Sequence, residues 1–278
     1  MDNLIINPKE KTERITDFIK TTLKKTGFER MVVGVSGGVD SAAVLSLCAR
    51  AIGVENVLAV KMPYGKQETE NADLIIDSLK ISSINVFTVD IKPIVDIIKT
   101  QINNPNLEIF NSLNLIREGN MMARARMMVL YDLAKQYSAL VCGTENKSEE
   151  LLGYYTRFGD EASDMEPIKH LYKTQVYQLA KYLGIPKEII NKKPTAGLWE
   201  GQTDYGELGF TYNEADEVLF QVFEKDASWK ELKSQKSKVK TTTKNSKLNL
   251  LIKIQQRVEG NWFKKETPYK IELRIELK

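Results

Sequence analysis

The feature that most constrains the fold is a regular alternation of short apolar runs with longer amphipathic segments. Short apolar runs predict strands at residues 31–35, 57–60, 84–89 and 139–142. Helical patterns lie around them at 15–23, 42–51, 71–79, 91–102, 118–137, 172–183 and 186–191. Strands separated by helices imply right-handed crossovers. The pattern therefore predicts an α/β fold, a Rossmann-like parallel sheet with helices on both faces.

Three later segments lack this clear alternation. Residues 194–211 contain four glycines and little periodicity, which predicts a long functional loop or lid. Residues 225–247 are rich in lysine and serine and predict a flexible connector. Apolar and charged residues alternate over 269–278, which favours an exposed terminal strand.

Composition excludes several kinds of chemistry. His170 is the only histidine, so zinc sites and histidine-based triads have almost no ligands to draw on. Cys48 and Cys142 lie in apolar stretches and are interpreted as buried free thiols. Carboxylates, lysines, backbone amides and a borrowed cation must then do the chemistry. No apolar run approaches the roughly 20 residues of a membrane span, so we expect no membrane partner and a cytoplasmic location.

Charge is distributed unevenly along the chain. The formal net charge is +3, yet residues 225–278 carry 15 Lys/Arg and 6 Asp/Glu, a net of +9. A basic segment could steer a polyphosphate ligand or a nucleic acid. A solvated tail is the favoured interpretation, and we expect no nucleic-acid partner.

A glycine-rich turn joins the first predicted strand to the next helix. Its order matches neither a Walker loop nor the dinucleotide fingerprint. Adjacent glycines let several amides face a ligand, while serine hydroxyls and a helix N-terminus favour phosphate. The turn is therefore a candidate cradle for a phosphate-bearing leaving group, formed by Gly34, Val35, Ser36, Gly37, Gly38, Val39, Asp40 and Ser41.

Asp40 is out of place in an anion site unless a cation accompanies it, because its carboxylate would repel phosphate. Mg²⁺ resolves the conflict, since it binds carboxylate and phosphate oxygens together. The alternative is that Asp40 and Ser41 only cap the helix.

This turn resembles the PP-loop of the N-type ATP pyrophosphatases. Further motifs, in order, resemble those of the ammonia-dependent NAD synthetase family: 62–65 (MPYG), 119–127 (GNMMARARM), 143–149 (GTENKSE), 156–160 (TRFGD), 171–175 (LYKTQ) and 193–199 (KPTAGLW). The resemblance covers roughly residues 10–224. It implies an adenine nucleotide alpha hydrolase-like fold, with residues 1–224 as the catalytic domain and 225–278 as a basic segment of the same functional unit.

The resemblance also implies roles for individual residues. Asp40 and Glu149 would hold the metal. ATP would be bound by the turn together with Met62, Thr144, Lys173 and Thr195, and deamido-NAD by Arg124, Arg157, Asp164 and Lys264. Catalysis would involve Asp160, Asp164 and Lys173.

The implied reaction is amidation of deamido-NAD to NAD with ATP and ammonia, through an acyl-adenylate, releasing AMP and pyrophosphate. Ammonia would come from solution or a separate partner, because 278 residues leave no room for a fused glutaminase. Family members of this size are homodimers, so a homodimer is expected. Glu161 and Phe263 depart from the family pattern, where glycine and histidine are common. Alternatives are a PP-loop tRNA-modifying or other amide ligase and a non-catalytic nucleotide-binding sensor.

Overall fold

The structure is a computed structural model that describes residues 4–102, 111–199, 201–237 and 243–266. Four strands lie in this part of the chain: β1 (Arg30–Gly34), β2 (Val57–Lys61), β3 (Val86–Thr88) and β4 (Ala139–Cys142). The helices are α1 (Pro8–Thr26), α2 (Val39–Ile52), α3 (Glu70–Ser78), α4 (Lys92–Ile102), α5 (Asn111–Tyr137), α6 (Lys147–Leu152), α7 (Lys173–Leu183), α8 (Lys187–Asn191), α9 (Asp204–Leu208), α10 (Tyr212–Phe223), α11 (Trp229–Ser237) and α12 (Thr243–Asn261).

The four strands form one parallel sheet in the order β3-β2-β1-β4. Met31 in β1 pairs with Val57 in β2 on one side and with Leu140 in β4 on the other. Because all strands run the same way, the loops that follow β1 and β4 emerge side by side at one edge. The predicted parallel α/β sheet is confirmed.

Alternation along each strand distributes the side chains between the two faces of the sheet. Met31 and Val33 belong to a core that contains α1, α2 and α7, whereas Val32, between them, packs with Leu133 and Ala134 of α5. The strands are thus buried on both faces, as a parallel sheet requires.

The first helix shows how local sequence sets an element. The side chain of Asn7 accepts a hydrogen bond from the amide of Glu10, Pro8 occupies the first turn, and Gly27 ends the helix with φ +77°. These are favourable start and stop residues, because Asn caps free amides and glycine tolerates the left-handed conformation.

A second core joins the C-terminal helices to α6. Leu251, Ile254 and Val258 of α12 pack in one cluster with Leu152 of α6 and Leu219 of α10. Leu232 of α11 belongs to the same cluster. The prediction of a flexible connector over 225–247 was therefore wrong where α11 forms. Lysine is a good helix former, and the buried Leu232 packs this helix into the second core.

Other boundaries differ from the predictions in smaller ways. The segment 194–211 includes the short helix α9, and α5 begins at Asn111, before the predicted start. Strand β3 is shorter than predicted, because residues 83–85 form a 3₁₀ turn. The strand predicted at 269–278 lies outside the described residues. No helix in the described ranges is long and apolar enough to cross a bilayer.

Asp216 connects three helices around the second core. It is fully buried on α10, and its carboxylate accepts hydrogen bonds from Ser148 Oγ at 2.5 Å, Thr174 N at 2.9 Å and Thr174 Oγ1 at 2.8 Å. Ser148 Oγ in turn accepts from the amide of Lys173 at 2.8 Å. One carboxylate therefore fixes α6 and the start of α7 against α10.

We expect Asp216→Ala to lower the free energy of unfolding by about 2–4 kcal/mol, because it leaves several buried donors without an acceptor. Urea denaturation measures the change. Glu217→Ala, at the exposed neighbouring position, is the control and should change it by less than about 0.5 kcal/mol. Equal effects of the two substitutions would contradict this role for Asp216.

Candidate active site

The glycine-rich turn follows β1 directly and is tightly packed. Gly37 has φ +74°, and a Cβ there would lie 2.8 Å from Asn71 Cβ and 2.9 Å from Ala72 N. Any side chain would thus strain the backbone and collide with α3. Within the turn, Ser41 Oγ accepts from Ser36 N at 3.3 Å and donates to Gly38 O at 3.1 Å.

The helix that follows the turn has no side-chain cap. Gly38 is the N-cap of α2 and makes no side-chain hydrogen bond there. The alternative that Asp40 and Ser41 merely cap the helix was therefore wrong, because both lie inside its first turn. The first amides of a helix have no intrahelical partners, so this terminus keeps its affinity for an anion.

Lys173 brings together two of the predicted metal ligands. Its Nζ donates to Asp40 Oδ2 at 2.5 Å and to Glu149 Oε1 at 2.9 Å, and its side chain is almost fully buried. Asn146 Nδ2 donates to Asp40 Oδ1 at 2.9 Å. Residues far apart in sequence thus converge beside the turn, at the carboxyl ends of β1 and β4.

A capping box fixes the orientation of Glu149. Asn146 Oδ1 accepts from the amide of Glu149 at 3.1 Å, and Glu149 Oε2 accepts from the amide of Asn146 at 3.4 Å. One carboxylate oxygen is therefore used to start α6, and the other is directed at Lys173.

Burial and charge shape the ionisation of this cluster. Burial raises the pKa of Glu149 to about 7, although Lys173 opposes the change. Burial alone would lower the pKa of Lys173, but the charges of Asp40 and Glu149 outweigh it and raise that pKa well above its usual value. At neutral pH the lysine is therefore charged, and protons compete with cations for Glu149.

A second group of predicted residues lies around the segment 153–160. Arg124 donates through Nη2 to the carbonyl of Arg157 at 3.2 Å, and the Arg157 guanidinium lies over the rings of Phe158 and Phe263. Lys264 Nζ donates to Gly153 O at 2.7 Å and to Tyr155 O at 2.8 Å. The structure thus gathers Arg124, Arg157 and Lys264 at one loop.

Asp160 and Asp164 belong to the same region but make different contacts. Asp160 Oδ1 accepts from the amide of Thr156 at 2.7 Å, and the residue is exposed. Asp164 Oδ2 accepts from the amide of Val141 in β4 at 2.8 Å. Asp164 therefore helps to hold the loop against the sheet.

The remaining predicted ATP contacts are Thr195, Met62 and Thr144. Thr195 Oγ1 donates to Gln202 O at 2.8 Å inside the segment 194–211. Met62 packs against the side of β1 opposite α2, where Arg126 Nε binds its carbonyl at 3.0 Å. Thr144 follows the end of β4 and is half-buried.

Three polar residues near Lys173 were not singled out from the sequence, namely Tyr212, Asp204 and Asn146. Tyr212 lies 5.0 Å from Lys173 Nζ, measured to the ring centroid, and its hydroxyl donates to Asp204 Oδ2 at 2.9 Å. Asn146 lies in a motif that was noted, but the family pattern assigned it no role. The sequence signal for Tyr212 was the capping box of Thr211 and Glu214, which marks the start of α10.

Comparison with known proteins decides the family. A family model described as NAD synthase matches residues 11–268 of the chain. The chain belongs to the NAD synthase family. This NAD synthase family member is 43% identical over 235 residues to the NH(3)-dependent NAD(+) synthetase of Fusobacterium nucleatum subsp. nucleatum. The aligned residues cover 84% of this chain and 87% of that protein.

Solved structures of the family share the fold. The NMN synthetase from Francisella tularensis matches with a TM-score of 0.77 and 31% identity, covering 97% of this chain and 100% of that one. The NH3-dependent NAD synthetase from Campylobacter jejuni subsp. jejuni NCTC 11168, in complex with the nitrate ion, matches with a TM-score of 0.74 and 32% identity, covering 96% and 100%. The NAD synthase fold is thus present over nearly the whole chain.

For this NAD synthase family member, we expect Asn146→Ala to lower the free energy of unfolding by about 2 kcal/mol, because it removes the cap of α6 and a donor to Asp40. Asn146→Asp keeps the cap but places a carboxylate beside Asp40, so we expect its stability to be lowest at high pH and to recover as acid protonates the introduced carboxylate. Denaturation curves at pH 5 and pH 8 measure both effects. Identical pH dependence in wild type and Asn146→Asp would contradict the contact.

Proposed function

We propose that the chain catalyses the ATP-dependent amidation of deamido-NAD to NAD with ammonia, releasing AMP and pyrophosphate. The observation that carries the proposal is the convergence of Asp40, Glu149 and Lys173 beside an uncapped helix N-terminus. Such a site offers anionic ligands for a cation and amides for phosphates in the same place. Family membership and ligase relatives support the same reading.

ATP binding is assigned to the turn from Gly34 to Ser41, with Met62, Thr144, Lys173 and Thr195 as further contacts. The free amides at the start of α2 suit the phosphates that become pyrophosphate. Gly37 supports this, because its missing Cβ lets the backbone of the turn lie against α3. Lys173 would neutralise charge that develops on the leaving pyrophosphate.

The residues present fit a magnesium ion. Asp40 and Glu149 already hold one shared cation, the Lys173 ammonium, which brings an oxygen of each carboxylate to a common point. In the described ranges no third acidic, histidine or cysteine side chain completes a metal cluster, and Mg²⁺ commonly takes its other ligands from phosphates and water. When bound, Mg²⁺ would neutralise phosphate charge and polarise the α-phosphate. Asp40 and Glu149 would hold it, and Lys173 would then turn its ammonium to the phosphates.

Deamido-NAD is assigned to the second group of residues. Arg124, Arg157 and Lys264 are cationic and lie around the 153–160 loop, which suits a substrate with two phosphates and a carboxylate. Lys264 already donates to two carbonyls of this loop, so its contribution is to position the loop as well as to add charge. Asp164 contributes by holding the loop to β4.

Two steps complete the reaction. The nicotinate carboxylate attacks the α-phosphorus and expels pyrophosphate, which forms an acyl-adenylate. Ammonia then attacks the acyl carbon and expels AMP, which leaves the amide. Ammonium must lose a proton before it can attack, and we assign the exposed carboxylate of Asp160 as the proton acceptor.

A homodimer and a cytoplasmic location are further parts of the proposal, and both rest on resemblance to the family. The tRNA-ligase and sensor alternatives are weaker, because relatives named as NAD synthetases match most of the chain. The similarity to an NMN synthetase raises a second candidate substrate, the acid precursor of NMN.

We expect purified protein with Mg²⁺, ATP, ammonium and deamido-NAD to yield NAD, AMP and pyrophosphate, with little turnover of the acid precursor of NMN. Chromatography of the nucleotides identifies the products. Glutamine in place of ammonium is the comparison for the nitrogen source. Release of ADP and phosphate would contradict the proposed chemistry, and faster amidation of the mononucleotide would transfer the proposal to NMN synthesis.

We expect Asp40→Asn and Glu149→Gln each to lower kcat by about 100-fold or more, because each removes charge from the proposed metal site. Asp77→Asn, an exposed residue on α3, is the control and should keep wild-type turnover. Steady-state rates across a Mg²⁺ titration measure the loss and any shift in metal dependence. A sensor would keep Mg²⁺-independent ATP binding in all variants and show no turnover in wild type.

A further inference from the structure

Two glutamates that the proposed reaction does not use lie side by side next to the site. The amide of Glu145 donates to Glu166 Oε2 at 3.1 Å. Glu166 also covers the end of β4, because a Cβ on Gly143 would lie 2.0 Å from Glu166 Oε1. Glycine at 143 is therefore required for this carboxylate to reach its position.

Glu145 has an unsatisfied oxygen. The residue is only 6% exposed, and its Oε2 accepts from Lys169 Nζ at 3.2 Å. Its Oε1 is buried and has no hydrogen-bond partner within residues 4–102, 111–199, 201–237 and 243–266. A buried carboxylate oxygen without a donor is costly, so the position calls for a ligand that donates.

Burial also acts on the ionisation of the two glutamates. Glu166 Oε1 accepts from the neutral hydroxyl of Ser163 at 2.8 Å, whereas Lys169 forms its ion pair with Glu145. Burial raises the pKa of Glu145 to about 8 and that of Glu166 to about 7, in spite of Lys169. A small cation bound beside them would stabilise the ionised carboxylates.

We propose that Glu145 and Glu166 form a binding site for an ammonium ion, which donates a hydrogen bond to Glu145 Oε1. Ammonium combines a positive charge with N–H donors, whereas water brings no charge and potassium brings no donor. The inference rests on the proposed function only in that ammonium is the nitrogen substrate. It deepens that proposal, since Glu166 also interacts electrostatically with Asp160, the proposed proton acceptor.

The site is distinct from the carboxylates that face Lys173. Glu145 precedes Asn146, whose side chain binds Asp40, but its own side chain contacts Lys169. Lys169, which pairs with Glu145, is partly exposed, with a side-chain exposure of 34%. Ammonium held here would be concentrated beside the loop that carries Asp160.

Binding is tested first without substrates. The melting temperature of the full chain is compared in ammonium chloride, potassium chloride and sodium chloride at equal ionic strength. We expect ammonium to stabilise wild type and Glu150→Gln, a control that removes the same charge from α6, while Glu145→Gln loses the ammonium effect. No ammonium-specific stabilisation of wild type, or equal stabilisation by potassium, overturns the proposal.

A second variant guards against a folding defect. Lys169→Met removes the competing cation and frees Glu145 Oε2, so we expect ammonium to stabilise it more than wild type. If the cluster has only a structural role, ammonium should stabilise both Glu145→Gln and Lys169→Met less than it stabilises wild type. Loss of the ammonium effect in Lys169→Met therefore counts against the site.

Kinetics then link the site to the reaction. We expect Glu145→Gln to raise the KM for ammonium about tenfold, with kcat at saturating ammonium and the KM for ATP changed less than about twofold. Glu150→Gln should match wild type. An unchanged KM for ammonium overturns the proposal, whereas wild type without amidation activity overturns the proposed function and leaves the melting experiment to decide the site.

Discussion

The site depends on the contacts of the buried Lys173 side chain with two carboxylates. A cation taken out of water is tolerated only where carboxylates surround it, and Asp40 and Glu149 provide them. These three residues lie in the first turns of α2, α6 and α7. The pair of contacts therefore forms only when all three helices have docked, and the chemistry of the site is tied to the completed fold.

Around that cation the protein builds a chain of polar contacts between helices. Ser148 links the amide of Lys173 to Asp216, and the hydroxyl of Tyr212 donates a hydrogen bond to Asp204. Buried polar networks of this kind are stable only when their members are satisfied. The second core, which includes residues of α6, α10 and α12, thus fixes helices that surround the site. None of its apolar residues is proposed to contact a substrate.

Burial of carboxylates is a common property of this region. Burial raises the pKa values of Glu145, Glu149 and Glu166 into the range of 7 to 8. In each case the effect of burial outweighs the charge of the neighbouring lysine. This property suits a site proposed to bind a magnesium ion and an ammonium ion, because a bound cation stabilises a buried carboxylate.

Much of the architecture could be predicted from local patterns. Asn7, Pro8 and Gly27 bound the first helix as their backbone preferences dictate, and the short apolar run at 31–35 predicted a strand of a sheet that is covered on both faces. The glycine-rich turn was recognisable because no common structural role requires its particular order of serines, glycines and aspartate. Composition was misleading at α11, where a lysine-rich segment forms a helix held by Leu232.

The amino-acid sequence by itself determined the parallel sheet, the glycine-rich turn and the family, since these depend on neighbours along the chain. It did not determine which side chains meet. Only the tertiary structure decided that Lys173 joins Asp40 to Glu149, that Asp164 binds the backbone of β4, and that Glu145 has an oxygen without a donor. The physical reason is that burial and hydrogen-bond partners arise from helix docking across long separations, which no local pattern records.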